Sequence, residues 1–369
     1  MDNRHIFSIG IIAAIALIMP CNMASASEEP QDSLSAGTPI QVLNLKVGTV
    51  GGNWYDISFD GSGFGEAAAH EAAAPTFLWC DPGGVMYVAS ETDQGAGIYS
   101  FRDSGNTGFV EVGKGLSPCH IMRPAGLPYA CAANYTGGAL SVIGLDADGN
   151  VSKLTRTFRY GPKSHCHQVK ELPAEICARA SLKGRWLLAT DLGLNRVHIY
   201  KAGAKGLRRK GSFKCMTGPR HMEFNAEKGL LYVLTELSDE LVTYAVKGKG
   251  GKPVFEEVSH LFAPDVFGGG GADIHLHPGG KYLYTSHRLV NDGVTVFSIG
   301  DDGLPVKIGY RKTGAHPRNF AITPDGQALL VACRDDSSIE IYNIGADGLL
   351  TRTGETVFPE KPVCLELGY

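Results

Sequence analysis

The chain has 369 residues, 43% hydrophobic and 20% charged, enough apolar material for one large core or two ordinary ones, which excludes intrinsic disorder. A formal net charge of −4 with no dominant basic stripe excludes a nucleic-acid partner, and the one basic cluster, Lys205 to Lys210, reads as a solvated loop. The 48 glycines follow no collagen-like period, so with 19 prolines they call for many tight turns and hence many short strands.

In chain order, the first element is a targeting segment. Arg4 and His5 precede an apolar run from Ile6 to Met19, followed by the small-x-small sequence Ala24-Ser25-Ala26. This is the layout of a secretory signal peptide over residues 1–26, cleaved after Ala26. The run is too short for a spanning helix of about 20 residues, so no membrane span is expected. Cys21 offers lipid attachment as the weaker alternative, because Pro20 stands where a small residue is wanted. Export to the periplasm or the extracellular space follows. Residues 27–40 read as a polar linker. Eight cysteines remain, from Cys80 to Cys364. An oxidising compartment allows some to pair, but several sit in apolar strand-like runs where cysteine acts as a small hydrophobe. No C-x-x-C pair exists, and no metal or cofactor is expected.

From residue 41 onward the sequence repeats. The clearest copies are 74–90, 218–235, 272–286 and 317–332. Each has a short apolar stretch, a turn, an aliphatic or aromatic strand and then an alternating strand. Asp148-Gly149, Asp302-Gly303 and Asp347-Gly348 mark hairpins between alternating runs. Anchors at Pro75, Pro118, His167, Pro219, Ile274, Pro317 and Pro362 give seven units spaced about 43 to 55 residues apart, the period of a four-stranded propeller blade. The last unit supplies one strand, and residues 40–59 precede the first anchor. The chain is therefore expected to be an all-β, seven-bladed β-propeller over 41–369. Its ring would be closed by N- and C-terminal strands sharing one blade, which removes exposed edges. The opening strand of each unit would line the channel, with a monomer expected.

Those opening strands are rich in ionisable residues: His165 and His167, Arg220 and His221, Asp273, His275 and His277, His316 and Arg318. Glu91, Glu236, His287 and Arg288 end the neighbouring strands. So many charges near one channel mouth imply a polar ligand, because unpaired buried charge is costly. A structural reading exists for each group. Arg220 and Glu236 suit an ion pair between neighbouring strands, and His221 and Asp273 suit a hydrogen bond locking two blades. The His165/His167 and His275/His277 pairs share a strand face but lack a completing metal-ligand set. No Gly-x-Ser-x-Gly elbow supports a serine esterase.

Gly218-Pro219-Arg220-His221 with Thr235-Glu236-Leu237, the segment Ala132 to Gly138, Asp191-Leu192-Gly193 and Ala272-Asp273-Ile274-His275 together resemble the lactonase family, which includes 6-phosphogluconolactonase and the carboxy-muconate cyclases. The resemblance spans roughly residues 44 to 369. It implies His167, Arg220, Glu236 and Arg288 as catalytic residues. His165, His221, Asp273, His275 and Arg318 are then expected as substrate contacts. Thr235 and His287 depart from the family's asparagines. The expected function is hydrolysis of a sugar lactone or related cyclic ester, the ligand being a small lactone or anionic sugar acid. His167 or Glu236 would act as base, with Arg220 and Arg288 as electrophilic clamps. Two alternatives stay open: a muconate-type cyclising lyase and a non-catalytic ligand-binding propeller at the cell envelope.

Overall fold

The computed structural model describes residues 42–92, 95–103, 105–262, 269–358 and 360–368. The predicted signal peptide and linker lie outside them. The described strands form seven four-stranded antiparallel sheets, the blades of a propeller. The innermost strands of blades 1 to 6 are Pro75–Cys80, Ser117–Met122, Cys166–Glu171, Pro219–Asn225, Gly271–Leu276 and Pro317–Ile322. Blade 7 takes Pro362–Gly368 innermost, followed outward by Leu43–Thr49, Asn53–Phe59 and Ala68–Glu71. Leu45 pairs with Leu367 and Val47 with Leu365, so strands from the two ends of the domain close the ring in one blade, as the sequence predicted.

Hydrophobic alternation builds the core between blades. One buried cluster lies at each of the seven blade junctions, for example Tyr87, Ile98, Ile121 and Ile143 between blades 1 and 2. Second strands are buried on both faces; Ala328–Cys333 and Leu230–Thr235 are buried throughout. Fourth strands such as Val151–Arg159 are largely exposed, which suits their charge. The Asp-Gly hairpins also tie blades together. Tyr87, Tyr232 and Tyr284 donate their hydroxyls to the carbonyls of Gly149, Gly303 and Gly348, each in the next blade, at 2.6, 2.6 and 2.9 Å. These three glycines have φ of 89°, 81° and 80°, so the turns need glycine on backbone grounds alone.

Among the described residues there is one α-helix, Ala174–Arg179, which sits between the first two strands of blade 3 and buries Ile176 and Cys177. No helix among them is long and apolar enough to cross a membrane. All eight described cysteines are unpaired, and seven are buried.

Candidate active site

The inner strands all start at one mouth of the channel, where the second strand of each blade ends. The pairs Pro219↔Thr235, Gly271↔His287 and Pro317↔Cys333 fix this register. Each inner strand of blades 1 to 6 carries a register shift just after its start, for instance between Pro219 and His221 and between Pro317 and Asn319. A β-bulge re-aims the side chain at the extra residue. The residues at these shifts include His167, Arg220 and Arg318. The residues leading into the strands take left-handed backbone conformations, Ala74 at φ 41°, Gly218 at 77°, Gly270 at 109° and His316 at 59°.

At this near mouth Glu236 stands between two guanidiniums. Its Oε2 lies 2.8 Å from Arg220 Nε and 3.1 Å from Arg288 Nη2. Arg220, only 1% exposed, also donates to the Ala272 carbonyl. Arg288 donates from Nε to the Gly270 carbonyl at 3.2 Å, and its Nη1 lies 3.5 Å from His316 Nε2. Arg318 faces Glu91 at 3.5 Å. Three arginines against two glutamates leave one positive charge in excess, which suits an anion. Burial pushes the Glu236 carboxyl up, but Arg220, Arg288 and Arg318 outweigh it and hold the group below the usual carboxylate range. Burial, with Arg220 beside it, lowers Arg288 to about 9, so it stays a cation at neutral pH.

His167 lies among these charges. Burial, then Arg220, His221, Arg318 and Arg288, hold its imidazole well below the ordinary histidine range, so it is neutral. Its buried Nδ1 has no hydrogen-bond partner. The Tyr135 ring meets His167 edge-on at 5.6 Å and stacks on His165 at 4.6 Å, while His165 Nδ1 lies 3.2 Å from the Tyr135 carbonyl.

The family model of the lactonase, a seven-bladed β-propeller, matches residues 63–367, which carry all of these contacts. The chain belongs to the lactonase family. A 6-phosphogluconolactonase of Formosa agariphila is 29% identical over 285 residues, 72% of this chain and 80% of that one. That of Bacillus subtilis is 26% identical over 299 residues, 76% and 83% of the two chains. A solved structure of a candidate 6-phosphogluconolactonase from Bacteroides fragilis superposes with a TM-score of 0.79 at 29% identity, covering 91% of this chain and all of that one. The periplasmic gluconolactonase of Pseudomonas aeruginosa, 21% identical with a TM-score of 0.78 over 89% of this chain and 99% of that one, shares the fold.

The remaining residues expected as substrate contacts in this lactonase-family chain lie at other depths. Strands rise about 3.3 Å per residue, so residues four apart on one inner strand cannot share a mouth. The anchor Ile274 sits three residues into its strand: Ala272, not Asp273 or His275, takes the position of Arg220 and Arg318. Asp273 is mid-channel. Its Oδ1 lies 2.7 Å from His221 Nδ1, its Oδ2 lies 3.0 Å from His275 Nε2, and Asn319 donates to it as well. His275 turns to the opposite end, 3.8 Å from Glu223. His277 contacts the Gly326 carbonyl at 3.0 Å. Tyr135 joins the near mouth although the sequence assigns it no role, and His316 joins it as one of the ionisable residues expected there, though with no catalytic or binding part assigned to it. Tyr135 stands inside a family-like segment, and His316 is a non-glycine residue at positive φ, a strain found at functional sites. Among the described residues no group of three or more His, Cys, Asp or Glu is disposed to hold a metal ion.

Proposed function

We propose that the protein hydrolyses a sugar lactone at the near mouth, with His167 as general base and Arg220 and Arg288 as the oxyanion clamp. The observation that carries this reading is a neutral His167, its Nδ1 without a hydrogen-bond partner, in the field of two guanidiniums that share Glu236. A base must be unprotonated and uncommitted; His167 is neutral, and its Nδ1 is engaged by no other group. Glu236 is unprotonated too, but two guanidiniums hold its Oε2 and weaken it as a base, so it positions them instead. His167 takes a proton from water as the water oxygen bonds to the lactone carbonyl carbon. Negative charge gathers on the carbonyl oxygen, where buried guanidiniums act without screening by bulk water. The intermediate collapses, the ring C–O bond breaks, and the leaving alkoxide takes the proton back from His167. The product carboxylate then faces a site with one cationic charge in excess. Arg318 binds the anionic end of substrate or product, and His165 contacts the substrate beside Tyr135. His221 and Asp273 lock the channel.

We further infer that residues 1–26 are a cleaved signal peptide and 27–40 a linker, so the substrate is met outside the cytoplasm. A lactone without a phosphate fits that location better than 6-phosphogluconolactone, which forms inside the cell.

Acid release from glucono-δ-lactone, its 6-phosphate and other lactones, followed against the spontaneous rate, tests the reading. Acceleration by the chain from Ser27, with His167→Ala and Arg220→Ala each losing about 10²-fold or more while keeping their circular-dichroism spectra, is expected. No acceleration of any lactone would transfer the site to a binding role.

A further inference from the structure

The inner strands end at a second channel mouth, opposite Arg220, and there they enclose a cavity of about 300 Å³. Its walls come from the inner strands of all seven blades. Phe77 and Trp79 of blade 1 and Met122 of blade 2 form an apolar side; Lys170, His275 and Glu366 supply polar groups. A buried layer of His120, His221, Asp273 and Asn319, each 8% exposed or less, separates it from the near mouth.

Apart from Glu366, the charged groups around this cavity are already paired. Lys170 Nζ lies 2.8 Å from Glu223 Oε2 and donates to the Met222 carbonyl at 3.0 Å. Glu171 pairs with Arg185 at 2.7 Å, and His275 pairs with Asp273. An anion entering the cavity would meet no uncompensated cation, and a cation would meet only Glu366, whose charge burial suppresses, so desolvating either would cost more than it gained. Hydrogen-bonding capacity is nonetheless left over. His120, stacked 4.1 Å from Phe77, keeps a buried Nδ1 without a partner. Glu366 accepts the Cys80 N–H at 3.1 Å through only one of its oxygens. Burial raises Glu366 to about 7, so it serves as donor or acceptor near neutrality.

We propose that this distal mouth is a second binding site, distinct from the catalytic one, for a compact neutral ring bearing hydroxyl groups, which lies against Trp79 and Phe77 and hydrogen-bonds His120, Lys170 and Glu366. Aromatic faces take the apolar C–H side of such a ring, and the polar groups take its hydroxyls. The size suits a single pyranose and no larger ligand. The inference does not depend on the lactonase reading, because it uses none of the near-mouth residues.

Calorimetric titration of the purified protein with methyl glucopyranoside, which has no lactone carbonyl, tests it. Saturable binding with a Kd around 1 mM is expected, as for a ligand of this size. Trp79→Ala should weaken it about tenfold, and His120→Phe, which keeps the ring on Phe77 but removes Nδ1, several-fold. Arg288→Ala should leave it unchanged. The His120 variant carries the test if Trp79→Ala fails to fold. No saturable binding, binding lost in Arg288→Ala, or gluconate binding more tightly than the glycoside in a Trp79-dependent way would each overturn the proposal.

Discussion

The two ends of the channel use the same inner strands and yet differ in kind. The near mouth is irregular backbone: a bulge in each of six inner strands, a left-handed residue before four of them, and arginines in excess over glutamates. The distal mouth is regular sheet with aromatic walls and paired charges. Bulges set side chains at angles a plain pleat cannot reach, and that is where a clamp of two arginines on one carboxylate is possible. Between the mouths, Asp273 joins histidines from blades 4 and 5 to Asn319 of blade 6. Irregular backbone thus gathers the arginine–glutamate cluster at one end, and regular backbone leaves aromatic walls at the other.

The sharpest way to break this contrast is at the near mouth. Glu236→Gln keeps the shape but leaves Arg220 and Arg288 without their shared counter-charge. We expect kcat to fall about 10²-fold, because the two donors lose their fixed aim. The excess charge rises from one to two, so inhibition by gluconate should strengthen. Steady-state kinetics with product inhibition reads both. Unchanged turnover would return Glu236 to a purely structural pair.

The ring and part of the near mouth are legible in the amino-acid sequence. Asp-Gly turns between alternating runs carry their own backbone requirement, so the hairpins and the sevenfold repeat can be read directly. Arg220, Glu236 and Arg288 come through the motifs that hold them, and all three fall within one ion-pair cluster. The depth of each residue is not legible. The fifth repeat has no proline at its start, so an anchor on Ile274 lies three residues too far along and lifts His275 toward the wrong mouth. The bulges that aim His167 and Arg318 leave no local signature, because they arise from pairing with the next strand. Tyr135 and His316 acquire their neighbours from other blades, and the distal cavity exists only once the strand ends converge.

Mid-channel, the expected effect moves from rate to stability. Asp273 is 2% exposed and contacts His221, His275 and Asn319. Asp273→Asn removes the only carboxylate in that group, and breaking a buried pair on one side costs about 3 kcal/mol. Thermal melting should drop by roughly 4 °C, with turnover per folded molecule nearly intact. The opposite pattern, an intact Tm and a raised KM, would make Asp273 the substrate contact that the sequence suggests.

Acid sets His275 against four other channel histidines, because they titrate in opposite senses. Burial, then Arg220, depress His221 to about 4, and burial with Arg288 depresses His316 to about 3; His167 and His120 are also held well below 6.5. A histidine whose folded pKa is depressed gives stability that is full above the unfolded value near 6.5 and is lost as pH falls toward the folded one. Each contributes a slope of up to about 1.4 kcal/mol per pH unit in that window. His275 runs the other way. Burial lowers it, but Asp273 overrides and raises it, so its stability is full below 6.5 and is lost as pH rises through its folded value. His198 is depressed as well, while Glu366, raised to about 7, opposes the drop together with His275; the balance predicts a Tm lower at pH 5 than at pH 7 by several degrees. His275→Gln removes one of the two opposing contributions and should deepen that drop by on the order of 1 °C. Melting curves of both proteins at the two pH values decide the point, and a drop no deeper in the variant would mean that the distal histidine is not held in its charged form.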